Sequence, residues 1–403
     1  MKIAVIGAGL TGLAAAHRLL QKGHQVSLFE KENFAGGLAS GFKEPGWDWS
    51  LEYFYHHLFT SDKSIQELLK ELGLFEKLFF VKPKTSSFFN NEISRFDSPL
   101  SLLTFPYLSF LEKTRAGLIT FYLKTMARWQ TFENTTAYEW LRKYYGQKAF
   151  EILWEPLLKS KFGEFAEKVS MAWFWARIKK RSMKLGYLEG GFQVLIDKLV
   201  DRIKDGGGKI YLKHGVSNIN DLNLPAGKAG HLNKYDRVID TRPLKSLPML
   251  GAINLILVLK EPFLKDKTYW LNITQKGFPF VAVVEHTNFI EKKHYGGDHL
   301  LYVGGYYPQN HRYFKLSKEE ILQEFLPFLQ KINPKFKPST INNQQLTISL
   351  SAQPVMFAGY QKIIPSRQTS IPNVLLANIQ QVYPWDRQTN YAIELGEKIA
   401  HEI

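Results

Sequence analysis

Three glycines and one carboxylate near the N-terminus are the residues best placed to do chemistry. Gly7, Gly9 and Gly12 stand in the spacing G-x-G-x-x-G, and Glu30 follows eighteen positions after Gly12. The arrangement suits a dinucleotide. Gly7 permits a tight turn, Gly9 lets the backbone approach a pyrophosphate, and Gly12 lets a helix pack close to a strand. A helix opening there offers free N–H groups and a positive dipole end to the phosphates. A carboxylate at Glu30 can accept hydrogen bonds from a ribose 2′-OH and would repel a 2′-phosphate. The surrounding chain supplies the elements that must hold these residues. Residues 3–6 are an apolar strand run, residues 10–22 have helical character, Gly23 and His24 make a turn, and residues 25–30 read as a second strand. This is a βαβ unit with the fingerprint in its first turn, and it predicts an α/β, Rossmann-type nucleotide-binding domain. NAD and FAD sites share the fingerprint.

The stretch from Glu30 to Ser40 reads E-K-E-N-F-A-G-G-L-A-S, with Gly36 and Gly37 just past the acid. Here the sequence resembles the large flavoprotein family of amine oxidases, phytoene desaturases, protoporphyrinogen oxidases and UDP-galactopyranose mutases. In that family the Gly-Gly pair follows the ribose-binding Glu, and its loop lies along the FAD pyrophosphate. Many members carry Arg after the pair. This chain has Leu38, which argues against a typical amine oxidase. Later stretches extend the likeness. Residues 51–62 (L-E-Y-F-Y-H-H-L-F-T-S-D) match the segment that passes beside the flavin ring, and His56 and His57 resemble the His-x-Phe stretch of the mutases. Val216 stands where the family contacts adenine through its backbone, and residues 235–243 (Y-D-R-V-I-D-T-R-P) match the strand at the edge of the FAD site. Near the C-terminus most members have Gly-Asp where this chain has Ala377 and Asn378. Asn378 keeps hydrogen-bonding capacity without the charge. A last helix follows, with Thr389 or Asn390 as its expected cap, and its positive end would favour the reduced flavin.

The resemblance implies FAD, in a GR2-like domain, held by Gly7, Gly9, Leu10, Thr11, Gly12, Glu30, Lys31, Gly36, Gly37, Leu38, His57, Val216, Thr241, Asn378, Thr389, Asn390 and Tyr391. The isoalloxazine then performs the electron chemistry and the protein supplies position and electrostatics. His56, His57 and Tyr391 are the candidate catalytic side chains. No Ser-His-Asp set, paired-carboxylate motif or metal signature stands out. Adjacent histidines on an extended chain point apart, so no metal is expected.

Composition sets further bounds. The 403 residues suffice for two domains, and 45% hydrophobic with 22% charged residues is ordinary for a folded protein. There is no cysteine, which excludes disulfides, thiolate metal sites, a cysteine nucleophile and a cysteinyl-linked flavin. The FAD is expected to be non-covalent. No signal peptide or transmembrane span is read from the pattern, and the expected compartment is the cytoplasm. A net charge of +15 is spread along the whole length without a nucleic-acid motif. Nucleic acid is not an expected partner. An anionic membrane surface at the inner face is the better match to the charge.

The FAD domain is expected to be assembled from residues 1–79, 186–250 and 346–403. Residues 80–185 read as a largely helical cap entered by a small sheet, and residues 251–345 as an α+β part whose sheet floors a substrate cavity. Within the cap, the apolar run after Pro99 leads into a helix predicted over residues 110–129. Lys113, Thr120, Lys124 and Arg128 share one face of it, and Leu111, Leu118, Tyr122, Met126 and Trp129 another. One reading packs this helix on its own domain. The other lays it on a membrane.

The activity expected from this pattern is FAD-dependent oxidation or reduction of a bulky, mainly apolar small molecule, of the protoporphyrinogen oxidase or desaturase kind. The alternative is a mutase-like flavoenzyme acting on a sugar nucleotide, similar to the UDP-galactopyranose enzymes. A third class is a flavin-bearing subunit without catalysis.

Overall fold

In the computed structural model, which describes residues 1–222 and 234–403, the first strand lies in the middle of a five-stranded parallel sheet. The strand order is Lys209–Tyr211, Gln25–Phe29, Lys2–Ile6, Arg237–Asp240, Val374–Leu376. Helices cover such a sheet on both faces, so its central strand must be apolar throughout, and Ile3, Ala4, Val5 and Ile6 are all buried. The chain leaves Lys2–Ile6 toward one edge and later returns to add strands at the other. The loops after Ile6 and Asp240 therefore diverge and open a crevice at the carboxyl ends of the strands.

Helix Leu10–Gln21 packs against the final helix, Thr389–His401. The approach depends on Gly396, where an added Cβ would stand 2.3 Å from the Thr11 carbonyl oxygen. Arg18 bridges Glu71 on helix Lys63–Glu71 and Glu397 on the final helix, with N···O distances of 2.5 Å to each. Two segments far apart in sequence are thus fastened to the fingerprint helix.

The second body is a seven-stranded sheet in the order Ile341–Pro354, Met249–Leu259, His299–Pro308, Ala282–Glu285, Thr268–Ile273, Lys84–Phe89, Glu92–Arg95. Strand Met249–Leu259 is buried along its whole length. Helix Lys318–Ile332 covers one face through Ile321, Phe325 and Leu329, and it starts with a reciprocal Ser317–Glu320 capping box. Helices Pro99–Leu103, Phe110–Thr125, Ala137–Tyr145, Gln147–Leu153, Glu155–Phe162 and Met171–Lys180 form the cap.

Several expectations are corrected. The strands Lys84–Phe89 and Glu92–Arg95 do not make a small sheet of their own at the entrance to the cap. They complete the seven-stranded sheet through a parallel pairing of Lys84–Phe89 with Thr268–Ile273. Residues 147–158 read from their pattern as one helix, but the helix is broken at Trp154, because Pro156 lacks an N–H and opens the next one. Residues 216–219 read from their pattern as a strand, but no strand forms there. Val216 is in a loop and its carbonyl accepts a hydrogen bond from Arg242 Nη1 instead of a ladder bond. Asp62 precedes its helix without capping it, since Oδ2 accepts the Phe59 N–H at 2.8 Å. The final helix is preceded by Gln388, and Thr389 is already its first residue. The low-complexity stretch 223–230 lies outside the described residues.

The helix Phe110–Thr125 is the clearest departure from the packed reading. Only Ala116 and Leu123 of its residues are buried. Phe110, Leu111, Leu118, Phe121 and Met126 are 62–79% exposed, and Leu100 and Leu103 on the preceding helix are 70% and 53% exposed.

Candidate functional site

One cavity of about 2040 Å³ runs from the fingerprint loop, past the Gly-Gly turn, to the cap helices. The turn after the first strand is built by local sterics. Gly7 has φ +99°, and a Cβ there would lie 2.3 Å from Thr241 Oγ1. Thr241 Oγ1 donates to the Ile6 carbonyl at 2.6 Å and so closes the turn from behind. A Cβ on Gly12 would lie 1.9 Å from the Gly7 carbonyl oxygen, which is the close helix-to-turn contact that the spacing predicts. Gly36 donates its N–H to the Ala8 carbonyl at 2.7 Å and bridges to Gly9, so the Gly-Gly turn is laid against the fingerprint.

Gly9 differs from its neighbours. Its backbone is ordinary, with φ −70° and ψ 173°, and an added Cβ would meet no atom within 4 Å. The glycine is required by nothing in the chain itself, and the space before it belongs to the cavity. An elongated anionic ligand seated on the helix N-terminus would fill that space. The FAD that the family resemblance implies therefore fits the residues present. Leu10 and Thr11 open the helix below it, and Gly37, Leu38 and Lys31 line the same wall.

Glu30 is buried at the end of the second strand, with Oε2 accepting the Ala8 N–H at 2.7 Å and Oε1 the Glu32 N–H at 3.0 Å. Both oxygens are thereby fixed toward the cavity edge, where a ribose would reach their remaining lone pairs. Beyond it lie Val216 and Arg242. Arg242 pairs with Asp240 through two contacts of 2.8 and 2.9 Å and braces the Val216 loop. The sequence reading missed this arginine, although it stands in the quoted stretch 235–243.

Gly7, Thr241, Gly36, His56, His57, Thr389 and Tyr391 also line the cavity. Gly12, Asn378 and Asn390 do not. Gly12 acts by packing. The Asn378 carboxamide is consumed inside the protein, donating to the Arg242 carbonyl at 2.9 Å and accepting the Gln380 N–H at 3.0 Å. Asn390 Oδ1 accepts the Ile65 N–H at 3.2 Å and ties the final helix to helix Lys63–Glu71. The carboxamides of these two asparagines tie walls of the fold together.

His56 and His57 face the cavity from deep inside the protein. Burial pushes the His56 imidazole down to about 4 and that of His57 to about 3, the latter helped by Arg181. Both rings are neutral at physiological pH, and His57 is a weak base in this setting. His56 Nδ1 lies 2.5 Å from the Phe54 carbonyl oxygen, whereas His57 Nδ1 has no protein partner. Tyr391 stacks flat on Trp385, with centroids 5.5 Å apart and planes 4° apart, and its hydroxyl is also unpartnered. Burial holds that phenol well above the ordinary tyrosine range. Among the described residues no group of three or more His, Cys, Asp or Glu side chains is arranged to hold a metal.

A charged cluster that sequence reasoning did not assemble stands at the cap end. Asp386 Oδ1 accepts Trp173 Nε1 at 3.0 Å and Gln353 Nε2 at 3.3 Å. Oδ2 accepts Arg177 Nη1, with Lys161 Nζ 3.6 Å away. Arg387 donates to Gln353 Oε1 at 3.1 Å and to the Tyr306 hydroxyl. The cations hold the Asp386 carboxyl below the usual carboxylate range against the opposing effect of burial. The signal in the sequence was the W-D-R run at residues 385–387, but its partners come from the cap and the sheet.

The fold, the glycine cradle and the acid beyond it define a flavoprotein of the two-body kind. The chain belongs to the family of flavin containing amine oxidoreductases, whose model it matches over residues 10–380. It is 26% identical over 331 residues to the 15-cis-phytoene desaturase of Narcissus pseudonarcissus, an alignment covering 75% of this chain and 56% of that protein. The chain thus spans little more than half the length of that relative, and far less of several others. Among solved structures it is similar to a reduced UDP-galactopyranose mutase, with a TM-score of 0.74, 14% identity and coverage of 100% of this chain and 95% of the other. It is also similar to cyclohexylamine oxidase from Brevibacterium oxydans IH-35A, with a TM-score of 0.72, 15% identity and coverage of 100% and 98%.

Proposed function

We propose that the chain binds FAD without a covalent link and oxidises a bulky, mainly apolar small molecule that arrives from a membrane surface. The cofactor supplies the two-electron acceptor, and this chain's residues position the substrate and exclude water from it. The observation that carries the reading is the continuity between the cavity and the exposed apolar helices. Leu102, Gly117 and Thr120 line the cavity from inside, Phe121 lines it while 62% exposed, and Leu100, Leu111 and Leu118 project outward from the same two helices. An unpartnered apolar surface of this kind, flanked by Lys113 and Arg128, fits the interface of an anionic bilayer. Phe54, Leu153, Leu158, Phe174 and Trp385 give the inner walls apolar surface against which such a substrate can pack.

The test is anaerobic reduction of the protein-bound flavin by a panel of polyenes, porphyrinogens, amines and sugar nucleotides, followed by turnover with and without an added electron acceptor. Reduction by an apolar compound and acceptor-dependent turnover are expected. Turnover that needs only pre-reduced flavin and a sugar nucleotide would establish the mutase-like reading instead. That second reading is favoured by one observation, the cations at Lys161, Arg177 and Arg387, which could hold a diphosphate.

A further inference from the structure

We propose that the substrate carries an anionic head, a carboxylate or a phosphate monoester at the end of its apolar body, and that Lys161, Arg177 and Arg387 bind that head at the cap end of the cavity. The inference rests on the oxidoreductase reading for the apolar body and adds the chemical class of the polar end.

The argument is one of charge balance in a confined space. Three cations converge on one carboxylate, Asp386, from three separate parts of the fold. Lys161 comes from helix Glu155–Phe162, Arg177 from helix Met171–Lys180, and Arg387 from the turn before the final helix. The Lys161 side chain is 14% exposed and that of Asp386 10%. Asp386 is the single acid among these four side chains and can balance at most one of the three basic ones. Holding like charges together away from bulk water is unfavourable unless a counter-charge arrives. Arg181 stands near Arg177 as a further cation, and the other close neighbours are aromatic faces. Lys161 Nζ stands 5.0 Å from the Trp173 ring centroid and 5.1 Å from that of Tyr306, and Arg387 lies 5.3 Å from the latter. These contacts orient the cations without neutralising them.

The cluster is also directed at a ligand and not merely at the fold. Arg177 uses one guanidinium nitrogen on Asp386, lines the cavity and keeps 42% of its side chain accessible there. Burial and the adjacent Arg177 press the Lys161 ammonium well below its ordinary range, a penalty that an incoming anion would relieve. Asp386 then serves as a positioning residue. It gathers the cations and the Trp173 indole, and it competes with the ligand for them.

That competition gives the test opposite signs in two variants. FAD-loaded protein is titrated calorimetrically with decyl phosphate, decanoate, decanol, inorganic phosphate and UDP. Decyl phosphate and decanoate should bind at least about tenfold more tightly than decanol, the scale of one charge-assisted hydrogen bond. Arg177→Gln should remove about tenfold of that advantage and leave decanol unchanged. Asp386→Asn should tighten decyl phosphate, because it frees the cations from their internal partner. Equal binding of decyl phosphate and decanol by the native protein would overturn the proposal, as would the two variants shifting decyl phosphate in the same direction. Inorganic phosphate binding as tightly as decyl phosphate would refute an anion attached to an apolar body. UDP binding more tightly than decyl phosphate would replace the amphiphile with a nucleotide. Flavin content is measured in each sample. A protein that prefers decyl phosphate but reduces no flavin with any apolar compound fails the oxidoreductase reading alone.

Discussion

Replacing Gly9 with Ala separates a ligand's requirement from the fold's. The Gly9 backbone lies in a region open to any residue, and its new Cβ would meet nothing in the protein. The folded apoprotein should therefore gain about 0.4–1 kcal/mol, because alanine restricts the unfolded chain more than glycine does. The cofactor should respond in the opposite sense. The methyl group stands where a pyrophosphate must lie to reach the N–H groups at the start of helix Leu10–Gln21. Losing two charge-assisted hydrogen bonds there costs about 3–6 kcal/mol, a weakening of roughly a hundredfold to ten-thousandfold. The assay pairs urea unfolding of the apoprotein with the flavin-to-protein ratio after gel filtration. Gly12→Ala is the contrast. Its Cβ would stand 1.9 Å from the Gly7 carbonyl, so it should damage the apoprotein itself. A Gly9→Ala protein that retains native flavin stoichiometry would refute the placement of the pyrophosphate. One that loses apoprotein stability to the same degree as Gly12→Ala would refute the reasoning about open space.

Other expectations follow from the same geometry. Glu30→Ala should weaken FAD by about 1.5–3 kcal/mol for each ribose hydrogen bond lost, read by dialysis and fluorescence; unchanged retention would leave Glu30 as a support for Ala8 and Glu32 only. His57→Ala should keep its FAD and most of its activity, since a ring pushed down to about 3 is a poor proton acceptor at neutral pH; a fall of roughly a hundredfold would mean that substrate binding restores its basicity. Leu111→Ser with Phe121→Ser should abolish co-sedimentation with anionic lipid vesicles, and salt should weaken the native protein's binding; native protein that ignores vesicles at low salt would remove the membrane step. Glu52 is fully buried, accepts Tyr187 OH and Phe192 N–H at 2.7 Å each, and is pushed up to about 7 from 4.5 by burial. A raised carboxyl favours the fold at low pH and loses that advantage as pH climbs from the unfolded value to the folded one. Glu52→Gln should match the native protein at about pH 4 and exceed it by up to about 3 kcal/mol at about pH 8. Equal stability differences at both pH values, measured by denaturant unfolding, would show that the Glu52 carboxyl titrates alike in the folded and the unfolded chain.

The parts legible in the sequence are those whose chemistry is local. Gly7, Gly9, Gly12 and Glu30 lie within thirty residues; Gly12 packs on the Gly7 carbonyl and Glu30 accepts the Ala8 N–H. The same holds for Ser317 and Glu320, whose capping box spans four residues. Asn378 and Asn390 were less legible because their residue type announces hydrogen bonding without saying to what. Each uses one carboxamide atom on a backbone group far away in sequence, at Arg242 and Ile65 respectively. Helix Phe110–Thr125 left two readings open for a related reason. Its apolar side chains fit a buried face as well as a lipid-facing one, and only the surrounding fold shows that little besides Ala116 and Leu123 is covered.

The Asp386 cluster marks the limit of reading by segment. Its charge balance is a property of Lys161, Trp173, Arg177, Gln353 and Arg387 taken together, and no window of sequence holds more than a few of them. The cofactor half and the substrate half of the cavity are therefore encoded in different ways. Binding the dinucleotide needs backbone groups at a turn and a helix N-terminus, which a short motif can specify. Discriminating among substrates needs side chains from several elements to agree on charge and spacing. The fold carries the first requirement from relative to relative, so a resemblance can report the cofactor. The second depends on how the fold brings distant segments together, and the head-binding end proposed here gathers Lys161, Arg177 and Arg387 beside an apolar chamber.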